Sequence, residues 1–437
     1  MFFRSSAYGV ARFAVFTIVL LFVAGQRTTF AQASAPATAA AAQASAVDSD
    51  TSPDGYFTEP DFLSNLIEQV NSYGTSGGTR KAKNGFYPEL SNQIVGAGWL
   101  SLGPGYRRYF DHDHVMFDTS ASLSWRLYKM GQARLERQEL AGGHLTIGTQ
   151  AMWADDTQVN YFGIGPDVVE ADRSQYRMQT SDVVGYATVT TKDWLSINGE
   201  LGWLGRPKLM DPGGTFKPSV PSTLVAFPND PAVDLSRQPQ FLHSEASIIA
   251  DTRDHPGHPT YGGMYRAALT NYWDKTYDVF TFHTWEAEGL HYVPLDDSRV
   301  VLAFHGWTVF NNPSNEHPIP FYLLPTIGGN RTDRDFRDFQ FHDNNLLLLQ
   351  AESRFAVWTH LDAALFIDAG NVGNHYGDLN LAKRSYGAGL RLHTARTTLA
   401  RLDLAQGAQG WHAVFSTSEP FRLPRVRRLT AIVPFFP

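Results

Sequence analysis

From about residue 86 onward, apolar and polar residues alternate with a period of two, which is the mark of strands whose two faces meet different surroundings. Over residues 115–129, Val115, Phe117, Ala121, Leu123, Trp125 and Leu127 share one face. Asp118, Ser120, Ser122, Ser124 and Arg126 share the other. Leu145, Ile147, Ala151 and Trp153 repeat the pattern against Thr146, Gly148 and Gln150, and Leu195, Ile197, Leu201 and Trp203 against Ser196, Asn198 and Glu200. Later, Leu361, Ala363, Leu365 and Ile367 oppose Asp362 and Asp368, and Tyr386, Ala388, Leu390 and Leu392 oppose Arg391 and His393. Several runs are about twice the ~5–6 residues usual for soluble sandwich strands. Aromatics gather near the expected strand ends: Trp99, Tyr106, Tyr109, Trp125, Tyr128, Trp194, Trp203, Trp273, Trp307 and Trp358. Girdles at two membrane interfaces would place them so. The expectation is an all-β, transmembrane antiparallel β-barrel, apolar outside and polar within. Sixteen strands over residues 86–421 would leave about 21 residues for each strand and its connection, ample for a spanning length of ~9–11.

Two stretches interrupt the alternation. Residues 206–239 hold seven prolines and read as a long extracellular loop. Residues 328–345 open on Gly328-Gly329 and have a charged body, which marks a second special loop. Ahead of the strands, Arg4 and Arg12 precede an apolar run over residues 13–24, and Ala31-Gln32-Ala33 offers a small-x-small cleavage site. Residues 1–33 therefore read as a signal peptide, with an apolar run too short to span a bilayer. Residues 34–85 read as a flexible linker with one short amphipathic helix, since Phe62, Leu63, Leu66, Ile67 and Val70 fall at helical spacing after Pro60. Residues 86–421 form the barrel. Residues 422–437 are a basic tail with Arg422, Arg425, Arg427 and Arg428, ending in Phe435-Phe436-Pro437. Either Phe421 or Phe436 could carry a terminal assembly signal.

Composition narrows the chemistry. The chain has 437 residues and no cysteine, which excludes disulfides, thiolate metal sites and cysteine nucleophiles. Its net charge of -7 argues against nucleic acid as a partner. His112 and His114, or His255 and His258, could offer pairs of metal ligands. A metal site needs three or four converging groups, so neither a metal nor a cofactor is expected. His243 and Ser244 are adjacent, and on a strand they point to opposite faces, so they make no nucleophile–base pair. No Gly-x-Ser-x-Gly elbow, His-Glu-x-x-His or P-loop is present, and no catalytic residue is assigned.

Two stretches carry a family resemblance. One runs from Asp251 through Arg253, Asp254, His255 and His258 to Gly262 and Gly263. The other runs from Leu324 through Gly328, Gly329 and Asp333-Arg334-Asp335-Phe336, then over residues 344–354 and 366–371. Together they resemble the bacterial surface antigen barrel of the outer-membrane assembly factor superfamily, which includes BamA-type insertases and two-partner secretion transporters. The resemblance implies a sixteen-stranded barrel whose first and last strands meet, with a loop folded back into the lumen. Members with insertase or secretion roles carry POTRA domains before the barrel, whereas residues 34–83 are mostly linker and too short for even one. The family's loop motif is apolar-Arg-Gly-aromatic. Here aspartate replaces the glycine, while Arg334 and Phe336 are retained.

The resemblance makes Arg334 the centre of a lumenal latch. Parity on the neighbouring strands agrees: Gln350, Glu352, Arg354 and Asp368 face the lumen, while Leu347, Leu349, Ala351 and Val357 face lipid. A guanidinium against Glu352 or Asp368 would form planar, charge-assisted hydrogen bonds. Asp335 is expected to compete for the arginine. The function implied is protein insertion, translocation or surface display at the bacterial outer membrane. A passive porin-like channel plugged by the loop is the alternative, and an interfacial lipid-acting enzyme a more distant one. Partners would be outer-membrane lipid and lipopolysaccharide, unfolded outer-membrane or secreted clients, and a separate periplasmic protein.

Overall fold

The computed structural model describes residues 54–72, 84–91, 101–213, 220–229, 238–314, 317–395, 397–417 and 419–421. The expected signal peptide, the Ala-rich start of the linker, the basic stretch over residues 74–83, Trp99 and the C-terminal tail lie outside the described residues. Among the described residues no helix is long and apolar enough to cross a membrane.

A helix, α1 (Asp61–Ser72), forms where the helical spacing predicts it, with Asp61 in its first turn and Leu63 and Ile67 buried on one face. An acidic first turn suits the helix dipole. The strands then follow in order: β1 (Gly85–Ser91), β2 (Ser101–Phe110), β3 (Val115–Ser124), β4 (Lys129–Leu140), β5 (Leu145–Tyr161), β6 (Ser174–Lys192) and β7 (Leu195–Leu204). The Pro-rich connection holds a three-residue β8 (Lys208–Met210) and a single-turn α2 (Thr223–Ala226). Next come β9 (Phe241–Asp251), β10 (Gly262–Asp274), β11 (Phe282–Leu295) and β12 (Val300–Pro313). The special loop contains the small hairpin β13 (Thr326–Ile327) and β14 (Phe341–His342). The chain closes with β15 (Asn345–Trp358), β16 (Leu361–Gly373), β17 (Lys383–His393), β18 (Thr398–Gly407) and β19 (Gly410–Ser416).

The main sheet has 17 strands. Each long strand pairs antiparallel with the next long strand in sequence, so β1 to β7 lead through β9 to β12 and then β15 to β19. The short β8 adds to β6. Among the described residues no register pairs β1 with β19.

The two faces of this sheet are inverted relative to a water-soluble protein. Leu123, Leu201, Trp203, Ile248, Phe304, Leu349, Leu365, Ile367, Leu402 and Leu404 are exposed. Their strand neighbours Ser122, Glu200, Ser247, His305, Gln350, Asp368 and Asp403 are buried. Contiguous exposed apolar surface on this scale belongs against lipid.

Two expectations need correction. β3 ends at Ser124, and the alternation that runs on through Trp125 and Leu127 belongs to a turn. Ser124 Oγ accepts from the amides of Arg126 and Tyr128, and Leu127 takes a left-handed φ of 63°. Tyr128 and Trp307, expected in the aromatic girdles, are buried instead, and Trp307 Nε1 donates to Glu286 at 2.9 Å.

The connections at 111–114, 141–144, 193–194, 296–299 and 359–360 are all short and lie at one end of the sheet. The segment ahead of α1 docks there: the Tyr56 and Phe57 amides donate to the Ala356 and Val357 carbonyls at 2.9 and 3.0 Å. Glu59 accepts from the His360 amide at 2.8 Å and faces its ring nitrogen at 2.9 Å.

Candidate functional site: a loop clasped by buried charges

The loop between β12 and β15 leaves from the opposite end and turns back over the buried face. Gly328 and Gly329 make the reversal, with φ of 122° and 103°. Only glycine adopts such angles without strain, and a Cβ here would also collide with the Arg337 carbonyl and the Asp338 side chain. The Gly329 amide donates to the Asp333 and Phe336 carbonyls, at 3.2 and 3.0 Å, and closes the turn that presents Arg334.

Arg334 is almost fully buried, at 1% exposure. Its Nε and Nη2 donate to the two oxygens of Asp368, each at 2.9 Å. Nη1 donates to Glu352 and to Asp403, each at 3.2 Å. The guanidinium lies 3.5 Å from the centre of the Phe366 ring, a stacked cation–π contact. Phe336, two residues on, turns the other way. It meets Phe341 edge-on at 4.9 Å within a cluster that includes Trp307, Ile327, Leu346, Leu348 and Val372. One side chain thus anchors the loop by charge and the other by apolar packing.

The carboxylates are shared further. Glu352 also accepts from Arg354 Nε at 2.9 Å and Arg391 Nη2 at 2.7 Å. Asp403 accepts from Arg391 and lies 3.5 Å from Arg401 Nε as an ion pair, while Arg401 Nη2 donates to the Asn330 carbonyl and Arg354 reaches Glu419. Four buried arginines (334, 354, 391 and 401) face four buried carboxylates (352, 368, 403 and 419). A buried charge is tolerated when it is paired and hydrogen-bonded, and Arg334, Arg354 and Arg391 meet that condition. The sequence reading names Arg334, Glu352 and Asp368 and misses Asp403 and Arg391. Their signal is the same parity, since Asp403 alternates with the exposed Leu402 and Leu404.

Asp335 does not compete for Arg334. Its carboxylate accepts from the Gln409 amide at 2.9 Å and lies 3.3 Å from His412 Nδ1, so the residue in the family's glycine position ties the loop to the last hairpin. The other motif builds a separate turn. Arg253 makes a two-point pair with Asp251 at 2.9 Å, and Asp254 accepts from the Thr260 and Tyr261 amides. Gly262 takes a φ of 86°. Gly263 follows it into β10, and its carbonyl accepts from the Thr252 amide at 2.8 Å. This turn touches the charge network where Arg354 donates to the Pro259 carbonyl. Of the histidine pairs, His112 sits in a turn of three consecutive left-handed residues, with its side chain 93% exposed. His258 is buried and meets Asp362 and His393 rather than His255.

Residues 226–410 match the profile of the Omp85 superfamily domain. The matched stretch contains every member of the charge network except Glu419. Among solved structures, BamA from Haemophilus ducreyi lacking POTRA domains 1–3 is similar, with a TM-score of 0.58 and 14% identity over 77% of this chain and 71% of that one. CdiB from Escherichia coli has a TM-score of 0.51 and 10% identity over 78% of this chain. This chain spans 62% of that CdiB. At these identities the likeness is one of fold. No curated protein matches the chain.

Proposed function

We propose that the protein is a sixteen-stranded outer-membrane β-barrel whose first and last strands meet, and that it inserts, translocates or displays other proteins. The observation that carries this reading is the Omp85-type loop held inside the sheet by Arg334. The apolar outer face supports residence in a bilayer, and the short connections suit the periplasmic end of such barrels. In this reading residues 1–33 direct export, residues 34–85 form the linker, and unfolded outer-membrane or secreted chains are the clients. Lipopolysaccharide and lipid surround the barrel, and a separate periplasmic protein delivers the client. In this reading the work is mechanical rather than chemical.

The same buried loop supports a second reading, a passive pore plugged by residues 317–344. Reconstitution separates the two. In liposomes the protein should accelerate insertion of an unfolded barrel client over empty vesicles, and in planar bilayers it should stay closed without a partner. A steady open conductance with no acceleration of insertion would favour the pore and overturn the first reading.

A further inference from the structure

The polar inner face of the sheet carries an apolar island. Ile249, Met264, Leu290, Tyr292, Val301 and Ala303 are buried on β9 to β12, among positions that otherwise hold Glu245, Arg266, Glu288 and His305. Phe421 covers the island: it is buried within this cluster, and its ring lies 5.4 Å from that of His305. Glu419 pairs with Arg354 and accepts from Tyr292 Oη at 3.3 Å. β19 ends at Ser416, opposite Arg401 of β18, so the chain leaves the sheet there and its next residues settle across the buried face on β11 and β12. Tyr292 pairs with Ala303 and Leu290 with His305, so Phe421 sits further from the short turn at 296–299 than Glu419 does. The chain is therefore heading into the interior when it reaches Phe421.

The wall ahead of it is acidic. Asp182, Glu200, Glu245, Glu286 and Glu288 line the inner face of β6, β7, β9 and β11. Arg266 bridges Glu245 and Glu286, at 2.5 and 2.8 Å. His243 meets Asp182 at 3.1 Å, and His305 meets Glu288 at 2.8 Å. Even with both imidazoles counted as charged, these carboxylates outnumber the cations that face them. Among the described residues, Glu288 Oε2 and Asp182 Oδ2 are buried and receive no hydrogen bond. A buried carboxylate oxygen without a donor is costly. On the other side of the sheet, the Arg334 network counts Glu419 among its carboxylates, so the first residues beyond β19 already supply charge that the inner face needs.

We propose that residues 422–428 run along this wall as an internal plug, with Arg422, Arg425, Arg427 and Arg428 against its carboxylates. The entry point is Glu288, whose partner His305 lies against Phe421. The lengths agree: β11 to β6 is four strand spacings, about 19 Å, and seven extended residues after Phe421 reach about 23 Å. Guanidinium groups suit the task because each offers a planar fork to a carboxylate. The proposal rests on the reading of the sheet as a closed barrel, whose failure would show separately as a missing heat-modifiable band. The plug is a ligand that the chain carries on itself, so any client passing through the interior has to displace it.

The chain has no cysteine, so a pair of introduced cysteines reports proximity without background. Ser247→Cys puts a thiol on the inner face of β9, between Glu245 and Ile249, and Ile248→Cys puts one on the exposed face. Each is combined with Arg425→Cys in the full chain, folded into liposomes and oxidised with copper phenanthroline. The Ser247 pair should give an intrachain disulfide, identified by mass spectrometry of the digest, and the Ile248 pair none. In planar bilayers, Arg422→Ser, Arg425→Ser, Arg427→Ser and Arg428→Ser together should raise conductance and shift the reversal potential toward cations, because the acidic wall is uncovered. Equal disulfide yields from the two pairs, a disulfide joining two chains, or conductance and selectivity unchanged in the serine variant would overturn the proposal.

Discussion

Arg334 and Asp368 meet as a two-pronged pair, Nε to one carboxylate oxygen and Nη2 to the other, each at 2.9 Å. They belong to different elements, the loop and β16, so the pair holds one against the other. Arg334→Ala leaves Asp368 without its guanidinium and Glu352 and Asp403 with fewer donors. Losing one partner of a buried pair costs about 3–5 kcal/mol. The variant should lose its heat-modifiable gel band at a lower temperature and conduct ions more readily in planar bilayers. Arg334→Lys should recover little, because an ammonium cannot serve two oxygens of one carboxylate in plane. Stability and conductance equal to the unmodified protein would remove the latch.

Asp335 contributes to holding the loop. Its replacement by glycine, the residue usual in the resembling family, deletes the contacts to Gln409 and His412 and should cost about 1–3 kcal/mol. Hydrogen exchange at residues 408–412 should speed up. A rise in stability would mean that Asp335 weakens the latch after all.

The inverted faces can be tested at one pair of neighbours. Leu123 is 47% exposed and Ser122 6%. Arginine at a lipid-facing midplane position destabilises a barrel by about 2–4 kcal/mol. Leu123→Arg should therefore impair folding into liposomes, while Ser122→Thr, on the polar side, should fold normally. Equal folding yields would show the parity of β3 to be wrong.

Docking of the segment ahead of α1 should depend on pH. Burial pushes the Glu59 carboxyl up, but hydrogen bonds from His360 and Ser64 outweigh it, and the net shift is below the ordinary 4.5. A lowered carboxyl stabilises the folded form fully above its unfolded value. That contribution fades as pH falls below about 4.5 toward the lower folded value. Protease cleavage near residues 54–60 should then increase below pH ~4.5. Glu59→Gln should abolish the acid dependence. Cleavage that rises equally in both proteins would show that Glu59 does not hold the segment.

Strand parity was legible because lipid and lumen impose opposite demands on alternate residues. Leu365 and Ile367 are exposed while Asp362 and Asp368 are buried, as the alternation required. The turn at Trp125 was not legible, since Trp125 and Leu127 continue the alternation and only the Ser124 hydroxyl marks the reversal. The partners of Arg334 were half legible. Glu352 and Asp368 lie on the two strands after the loop, whereas Asp403 is two strands further and becomes a neighbour only through register. Asp335 was misread because a charge beside an arginine suggests a local pair, and its actual partner, His412, is 77 residues away.

The docking of Glu59 on His360 joins residues 301 positions apart. A chain emerges with its N-terminus first, so the leading segment arrives long before the strand it must join. It has to wait, undocked, until β15 has been made and paired. Seating of this segment therefore reports the completion of most of the sheet, and it becomes a late event for a stretch that is made early.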